Sequence, residues 1–113
     1  MEFLSDEWYL AANSALEGLD VGDVNIVVAH VSERQSHYIV VGDGRASVER
    51  EAHCVDVTLR QTSDTAAAIR EGSLSALTAI QEGLIIVEGD IACLMAAKDA
   101  LGTVDRALSS LAE

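Results

Sequence analysis

The sequence predicts one α+β domain, and three observations support that prediction. Several stretches, such as residues 55–60, alternate apolar and polar side chains with the two-residue period of a half-buried strand. Other stretches begin with a capping Ser or Asp and end at Gly, as helices commonly do. Half of the 113 residues are apolar, which suffices for a single hydrophobic core.

The first half of the chain predicts a helix followed by a three-strand antiparallel meander. Ser5 is placed to cap the helix. The β-branched, apolar run at 24–31 is typical of a central strand, and a second strand follows at 37–41. The Gly-Asp-Gly sequence at 42–44 predicts a hairpin turn. The third strand, at 45–51, is the most polar and therefore suits a sheet edge.

The second half predicts a fourth strand, two short helices and a fifth strand. The fourth strand is expected to begin near Cys54. The helices are predicted over 63–72 and 73–83, and each ends at a Glu-Gly pair because glycine readily adopts the left-handed backbone of a helix end. The continuous apolar run at 84–87 predicts the fifth strand.

A long C-terminal helix is predicted to begin at the cap residue Asp90. Its apolar residues form two arcs that are rotated relative to each other on a helical wheel, and Gly102 lies between them. We therefore expect a kink or a break at Gly102.

The overall charge and hydropathy exclude several classes of protein. Seven basic and 19 acidic residues give a net charge of −12, which repels nucleic-acid phosphates and anionic lipid headgroups. No nucleic-acid partner is expected. Because no apolar run approaches about 20 residues and no charged-then-apolar leader is present, we expect no stable membrane insertion. The two cysteines lack disulfide or metal spacing, so we expect free thiols in the cytoplasm.

The polar residues predict neither catalysis nor a cofactor. His30, His37 and His53 are the only histidines, and the cysteines are not placed to complete the three or four ligands of a zinc site. The sequence contains no Gly-x-Ser-x-Gly nucleophile motif. The Gly-Asp-Gly at 42–44 precedes a predicted strand, whereas a dinucleotide-binding fingerprint requires a helix there.

Four motifs follow one another along most of the chain. They are FLSDEW at 3–8, DVTL at 56–59, Ile-x-x-Gly at 69–72 and Ala-x-x-x-Gly-Leu-x-x-x-x-Gly-Asp at 79–90. Each motif is ordinary by itself, but their order and spacing resemble the sterol carrier protein type-two family of small intracellular lipid-binding domains. A stand-alone, bacterial-type member is the better match.

The resemblance implies a single domain over residues 1–113, with a crossover to the fourth strand, the strand order 3-2-1-4-5 and helices packed on one sheet face. It also implies non-catalytic binding or transfer of a sterol, fatty acid or related lipid in an apolar cavity between sheet and helices. Without the resemblance, the same side chains would predict a close-packed core, and Trp8 a core anchor. The implied cavity walls are Trp8, Val57, Leu59, Leu74, Leu77, Ile80, Leu94, Met95 and Leu101.

Lys98 has two interpretations. It is the only lysine, and on the helical wheel it lies between Leu94 and Met95. A buried ammonium requires a partner, and the carboxylate of a bound fatty acid would serve. Alternatively, the side-chain stem covers apolar surface while the ammonium reaches water.

The first strand suggests a further contact. In residues 24–31 both alternating sets of side chains are apolar, although a sheet with helices on one face should have a polar far face. We infer that the far face is partly covered, for which a homodimer is one solution. The alternative function is therefore a protein-interaction or dimerisation module with a collapsed cavity, accessory to an enzyme.

Overall fold

In the computed structural model, helix α1 (Asp6–Leu16) precedes strands β1 (Ile26–Val31), β2 (Ser36–Gly42) and β3 (Arg45–Glu49). Then follow strand β4 (Val57–Gln61), helices α2 (Ser63–Arg70) and α3 (Ala76–Gln81), and strand β5 (Ile85–Gly89). Helices α4 (Ile91–Ala96) and α5 (Lys98–Ser109) complete the order. The structure describes residues 4–33, 35–109 and 111, without the side chains of residues 70, 76, 77 and 109. Phe3 of the first motif and the side chain of Leu77 lie outside this description.

The five strands form one mixed sheet with the order β3-β2-β1-β4-β5. Neighbouring strands are antiparallel except β1 and β4, which are parallel and are joined by the crossover from β3. The predicted α+β class, the meander and the strand order are confirmed, and the polar strand β3 lies at a sheet edge.

Alternation along the strands separates a buried face from a partly exposed one. Val28, Ile39 and Val57 are at most 2% exposed, and the strand register places Val28 beside each of the other two. On the opposite face, Val27 is half-buried and Ile86 is 61% exposed. The helices therefore cover the face that carries Val28. Within the described residues, no helix is long and apolar enough to cross a lipid bilayer.

Helix α1 covers the free edge of β3. Trp8, Ala12 and Leu16 are buried in the core along one side of the helix. The side-chain amide of Asn13 donates a hydrogen bond to the Val48 carbonyl at 3.1 Å and accepts one from the Val48 N–H at 2.8 Å. These two bonds satisfy outward-pointing backbone groups of an edge strand, which would otherwise be available to pair with another chain.

Asp56 joins three elements at the other side of the sheet. Its carboxylate accepts a hydrogen bond from the Val27 N–H at 2.8 Å, and its own N–H donates to the Val27 carbonyl at 2.9 Å. Its carbonyl accepts a hydrogen bond from the Asp90 N–H at the start of α4. Gly89, with φ +110°, lies so close to Asp56 that a Cβ added to Gly89 would collide with the Asp56 carbonyl oxygen. The DVTL and Gly-Asp motifs are therefore in direct contact.

The predicted break at Gly102 is wrong, because the C-terminal segment divides at Ala97 and α5 is continuous through Gly102. The Ala97 N–H donates to the carbonyls of both Cys93 and Leu94, at 3.1 and 3.2 Å, as in a tightened last turn. The break between the two helices keeps Leu94 and Val104 together in the core.

Smaller boundary differences have local causes. Strand β4 begins at Val57, three residues after Cys54, whose backbone is left-handed with φ 54°. Thr62 caps α2 and Ser75 caps α3, since their hydroxyls accept the backbone N–H three residues on. Strand β5 extends beyond the predicted run at 84–87 to Gly89, which pairs with Val57.

Candidate functional site

A pocket of about 560 Å³ lies between the helix-covered face of the sheet and helices α2 to α5. This volume is within the range of about 300–1,000 Å³ that is typical of small-molecule sites. The sheet supplies the floor with Val28, His30, Ile39 and Leu59. The helices and the α2–α3 loop supply the walls, with Ile69, Gly72, Leu74, Ser75, Ile80, Leu94, Met95, Lys98, Asp99, Leu101, Gly102, Asp105 and Arg106.

The corner between α2 and α3 positions one wall of the pocket. The N–H groups of Ser73 and Leu74 both donate to the Ala68 carbonyl, at 3.0 and 3.2 Å, which closes the end of α2. Ser75 then caps α3, which carries Ile80 to the pocket. The capping hydrogen bonds at the end of α2 and at the start of α3 therefore fix two short helices that present apolar side chains toward the sheet.

Most of the residues predicted to form cavity walls are brought together here. The residues among them that line the pocket are Leu59, Leu74, Ile80, Leu94, Met95 and Leu101. Lys98, the predicted contact of a ligand carboxylate, also lines it. Trp8 and Val57 lie in the core instead, at 4% and 0% exposure, and neither lines the pocket. The structure does not describe the side chain of Leu77.

His30 is the polar side chain of the pocket floor. Its ring stacks on the ring of its cross-strand partner His37, with 4.9 Å between centroids and 9° between planes. The His37 ring also meets the Trp8 ring at 6.1 Å in an edge-on arrangement. Burial lowers the pKa of His30 to about 4, so the imidazole is neutral at neutral pH. Among the described residues, none makes a hydrogen bond to a ring nitrogen of His30.

Charged side chains of α5 form one side of the pocket rim. Lys98, Asp99 and Arg106 are exposed. Asp105 is half-buried; burial raises its pKa to about 6, and the neighbouring Arg106 acts in the opposite direction. Met95 is 51% exposed and also lines the pocket, so the pocket meets solvent near this residue.

The described residues include no group of three or more His, Cys, Asp or Glu that could hold a metal ion. His30 and His37 are adjacent, but their parallel stacking aligns the ring faces rather than directing two nitrogens to one point. Cys54 and Cys93 are free thiols. The pocket chemistry is therefore that of an apolar chamber with one imidazole at its floor and charges at its rim.

The predicted cavity walls included neither His30 nor Asp105, and both side chains line the pocket. The sequence indicates the position of His30, because residues 26, 28 and 30 share one face of a strand and Ile26 and Val28 face inward. Asp105 follows Leu101 by four residues, and this spacing places two side chains on the same face of a helix. Asp105 was not predicted to line the pocket, because charged side chains usually lie in solvent.

A mixed sheet covered on one face by helices, with an apolar pocket between the layers, defines a class of small α+β ligand-binding domains. The model of the SCP-2 sterol transfer family matches residues 3–102, and this chain belongs to that family. The resemblance inferred from the four motifs is confirmed. No match is found among curated protein sequences.

Several solved structures share this fold at low sequence identity. A crystal structure of sterol carrier protein 2 is 17% identical, covers 96% of this chain and 98% of its own, and has a TM-score of 0.70. The protein TT1886 from Thermus thermophilus, described as possibly a sterol carrier protein, is 16% identical with a TM-score of 0.63 and coverage of 97% and 90%. Palmitated SCP2L2 from Aedes aegypti is 20% identical with a TM-score of 0.61 and coverage of 88% and 95%.

Proposed function

We propose that this domain binds or transfers a hydrophobic ligand, such as a sterol, a fatty acid or a related lipid, in the pocket between sheet and helices. The observation that supports this most directly is the pocket itself, which has Val28, Ile39 and Leu59 on its floor. Moving apolar ligand surface from water into such a site is favourable by about 25 cal/mol per Å². Membership of a sterol transfer family and similarity to a palmitated protein support the same ligand class.

The proposed function is non-catalytic. Ser75, His30 and Asp105 line the pocket, but no hydrogen bond joins any two of these three described side chains. A nucleophile, a base and an orienting group in mutual hydrogen-bond contact would be needed for acyl transfer. The arrangement instead suits binding, in which apolar walls provide affinity and a few polar groups provide orientation.

Gly102→Leu tests the pocket directly. Gly102 lies in the middle of α5, and a Cβ added there meets only the flexible end of Arg106, at 3.6 Å. Leucine is also a better helix former than glycine, so the variant should fold at least as well. The leucine side chain should occupy part of the pocket. Binding of the neutral fluorescent probe N-phenyl-1-naphthylamine should then weaken by more than about 10-fold, because the probe and the leucine would compete for the same space.

The matched control is Ala92→Leu, because Ala92 is exposed on α4 and does not line the pocket. This variant should bind the probe within about twofold of the wild type, as a surface substitution. If Gly102→Leu and Ala92→Leu bind the probe equally well, the pocket is not the binding site. Native mass spectrometry of gently purified protein gives an independent result, since a co-purified lipid supports a carrier.

A cytoplasmic location is part of the proposal. Free thiols at Cys54 and Cys93 suit a reducing compartment, and a net charge of −12 favours remaining in solution over docking on anionic membranes. Fractionation of cells after gentle lysis should leave the protein in the supernatant, and recovery in the washed membrane pellet would contradict this location.

The second candidate function is a dimerisation module, accessory to an enzyme, and the far face of the sheet favours it. Val27, Val31 and Val40 are apolar and only half-buried on that face, and Ile86 is 61% exposed. A second copy of this chain would cover these side chains. A monomeric mass by light scattering at micromolar concentration would argue against this candidate, whereas a lipid-free dimer that does not bind the probe would favour it over the carrier.

A further inference from the structure

The pocket floor contains a polar position that apolar lipid binding does not use. His30 lies on strand β1 in the pocket floor with Val28, Ile39 and Leu59, whereas the charged rim side chains lie on helix α5. Its ring plane is fixed by stacking on His37, so the direction in which its edge points is also fixed. Among the described residues, its ring nitrogens have no hydrogen-bond partner.

His30 is half-buried and lines the pocket, so a ligand that fills the pocket displaces the water that would hydrogen-bond its ring nitrogens. A ligand atom that restores one of these hydrogen bonds is therefore favoured. A neutral imidazole offers one donor and one acceptor. A hydroxyl group complements both, and a carbonyl oxygen complements the donor. A carboxylate would instead bring a full charge to a floor of aliphatic side chains, which is costly unless a cation accompanies it.

We propose that His30 forms a subsite that hydrogen-bonds an uncharged oxygen head group, so that a long-chain alcohol or a sterol-type hydroxyl binds with its head toward the sheet. This inference rests on the proposed function, because it assigns a ligand class to the same pocket. A ligand with a carboxylate head would bind the other way round, with its charge at the rim beside Lys98, which is exposed. The pocket thus has two polar ends that suit different head groups.

The test measures displacement of N-phenyl-1-naphthylamine by two probes of equal chain length, 1-dodecanol and dodecanoate. His30→Phe keeps an aromatic ring that can stack on His37 but removes both nitrogens. It should weaken 1-dodecanol binding by about 3- to 10-fold, the effect of losing one hydrogen bond. Binding of dodecanoate and of the fluorescent probe should change by less than about twofold because neither uses the imidazole. Lys98→Met should show the reverse pattern, weakening dodecanoate alone.

Two further variants separate hydrogen bonding from packing. His37→Phe alters the stacked ring that does not line the pocket, and it should leave the binding of 1-dodecanol within about twofold of the wild type. His30→Gln retains a donor and an acceptor, and it should recover part of the affinity that His30→Phe loses.

Each outcome bears on one of the two proposals. If the wild type binds neither lipid nor the fluorescent probe, the proposed function fails. If the wild type binds all three and His30→Phe binds 1-dodecanol as tightly as the wild type does, the subsite is overturned while the lipid-binding pocket stands. A loss of dodecanoate and 1-dodecanol affinity by the same factor in His30→Phe would also overturn the subsite, since it would indicate a general change in packing.

Discussion

Asp105→Asn should stabilise the protein at neutral pH. Burial raises the pKa of Asp105 to about 6 from its ordinary value of 3.8, so the folded state binds this proton more tightly than the unfolded state does. Protonation of Asp105 therefore favours folding below the ordinary pKa, and this contribution is lost as the pH rises through the folded pKa. At neutral pH the wild type keeps an ionised, half-buried carboxylate, whereas the asparagine variant has a neutral amide of nearly the same shape.

The size of the effect follows from the two pKa values. Their difference corresponds to about 3 kcal/mol of unfavourable free energy for the ionised carboxylate at pH 7. Because the side chain keeps partial contact with solvent and lies beside Arg106, we expect a smaller gain of about 2 kcal/mol. The gain should shrink toward zero as the pH approaches the ordinary pKa of the carboxyl group.

Urea unfolding followed by tryptophan fluorescence measures this gain. Trp8 is the only tryptophan and is 4% exposed, so its emission should change strongly when the core opens. Wild type and Asp105→Asn are compared at about pH 7 and about pH 4.5, on either side of the raised pKa. Protonation of His30, whose burial lowers its pKa to about 4, occurs in both proteins and cancels in the comparison.

Asp23→Asn is the control for a general reduction of the negative charge. Asp23 is exposed in the loop before β1, so its replacement should change stability by less than about 0.5 kcal/mol. The reasoning is refuted if Asp105→Asn is no more stable than Asp23→Asn at neutral pH. It is also refuted if the advantage of Asp105→Asn is the same at both pH values, because burial of an ionised carboxylate requires that the advantage depend on pH.

Two further predictions concern the framework of the fold. Gly89→Ala should destabilise by about 3 kcal/mol in urea unfolding, since its φ of +110° disfavours alanine and the new Cβ meets the Asp56 carbonyl oxygen and, at 3.2 Å, the Cα of Val57. Gly83→Ala also has a positive φ but an open surrounding, so it should cost only about 1 kcal/mol, and equal losses at the two positions would contradict the close contact. Asn13→Ala should cost about 2 kcal/mol, because it removes both hydrogen bonds to Val48, and it should increase aggregation measured by light scattering. Unchanged stability and an unchanged monomer fraction would show that the edge of β3 does not depend on Asn13.

Local patterns in the sequence were sufficient for the strands and their faces, because alternation is a property of neighbouring residues. The two-residue period of β4 and the polar character of β3 agree with the observed register and edge position. The break in the C-terminal segment was predicted at the wrong residue, Gly102, because glycine is locally the most flexible residue of that segment. The position at Ala97 instead depends on which side chains of α4 and α5 reach the core together, and that depends on long-range packing.

The pocket was harder to predict than the fold for the same reason. Aliphatic residues on helices have the same periodicity whether they fill a core or line a chamber, and on strands Val57 and Leu59 could not be distinguished by pattern either. The family resemblance implied that Trp8 is a cavity wall, and the alternative was a core anchor; Trp8 lies on α1 within the core and is not among the residues that line the pocket. Only the stacking of layers shows which apolar residues face a space and which face each other.

The distribution of large side chains explains why a space remains in this interior. Phe, Trp and Tyr make up only 4% of the chain, and those described do not line the pocket. The rings of Trp8 and Tyr9 meet at 5.3 Å on α1, and Tyr38 alternates with Ile39 and so points to the far face of β2. The helix layer over the pocket is therefore built from aliphatic side chains, the charged rim of α5 and Gly102, which has no side chain. Because no described Trp, Tyr or Phe side chain projects between this layer and the sheet, an apolar chamber of about 560 Å³ remains between them.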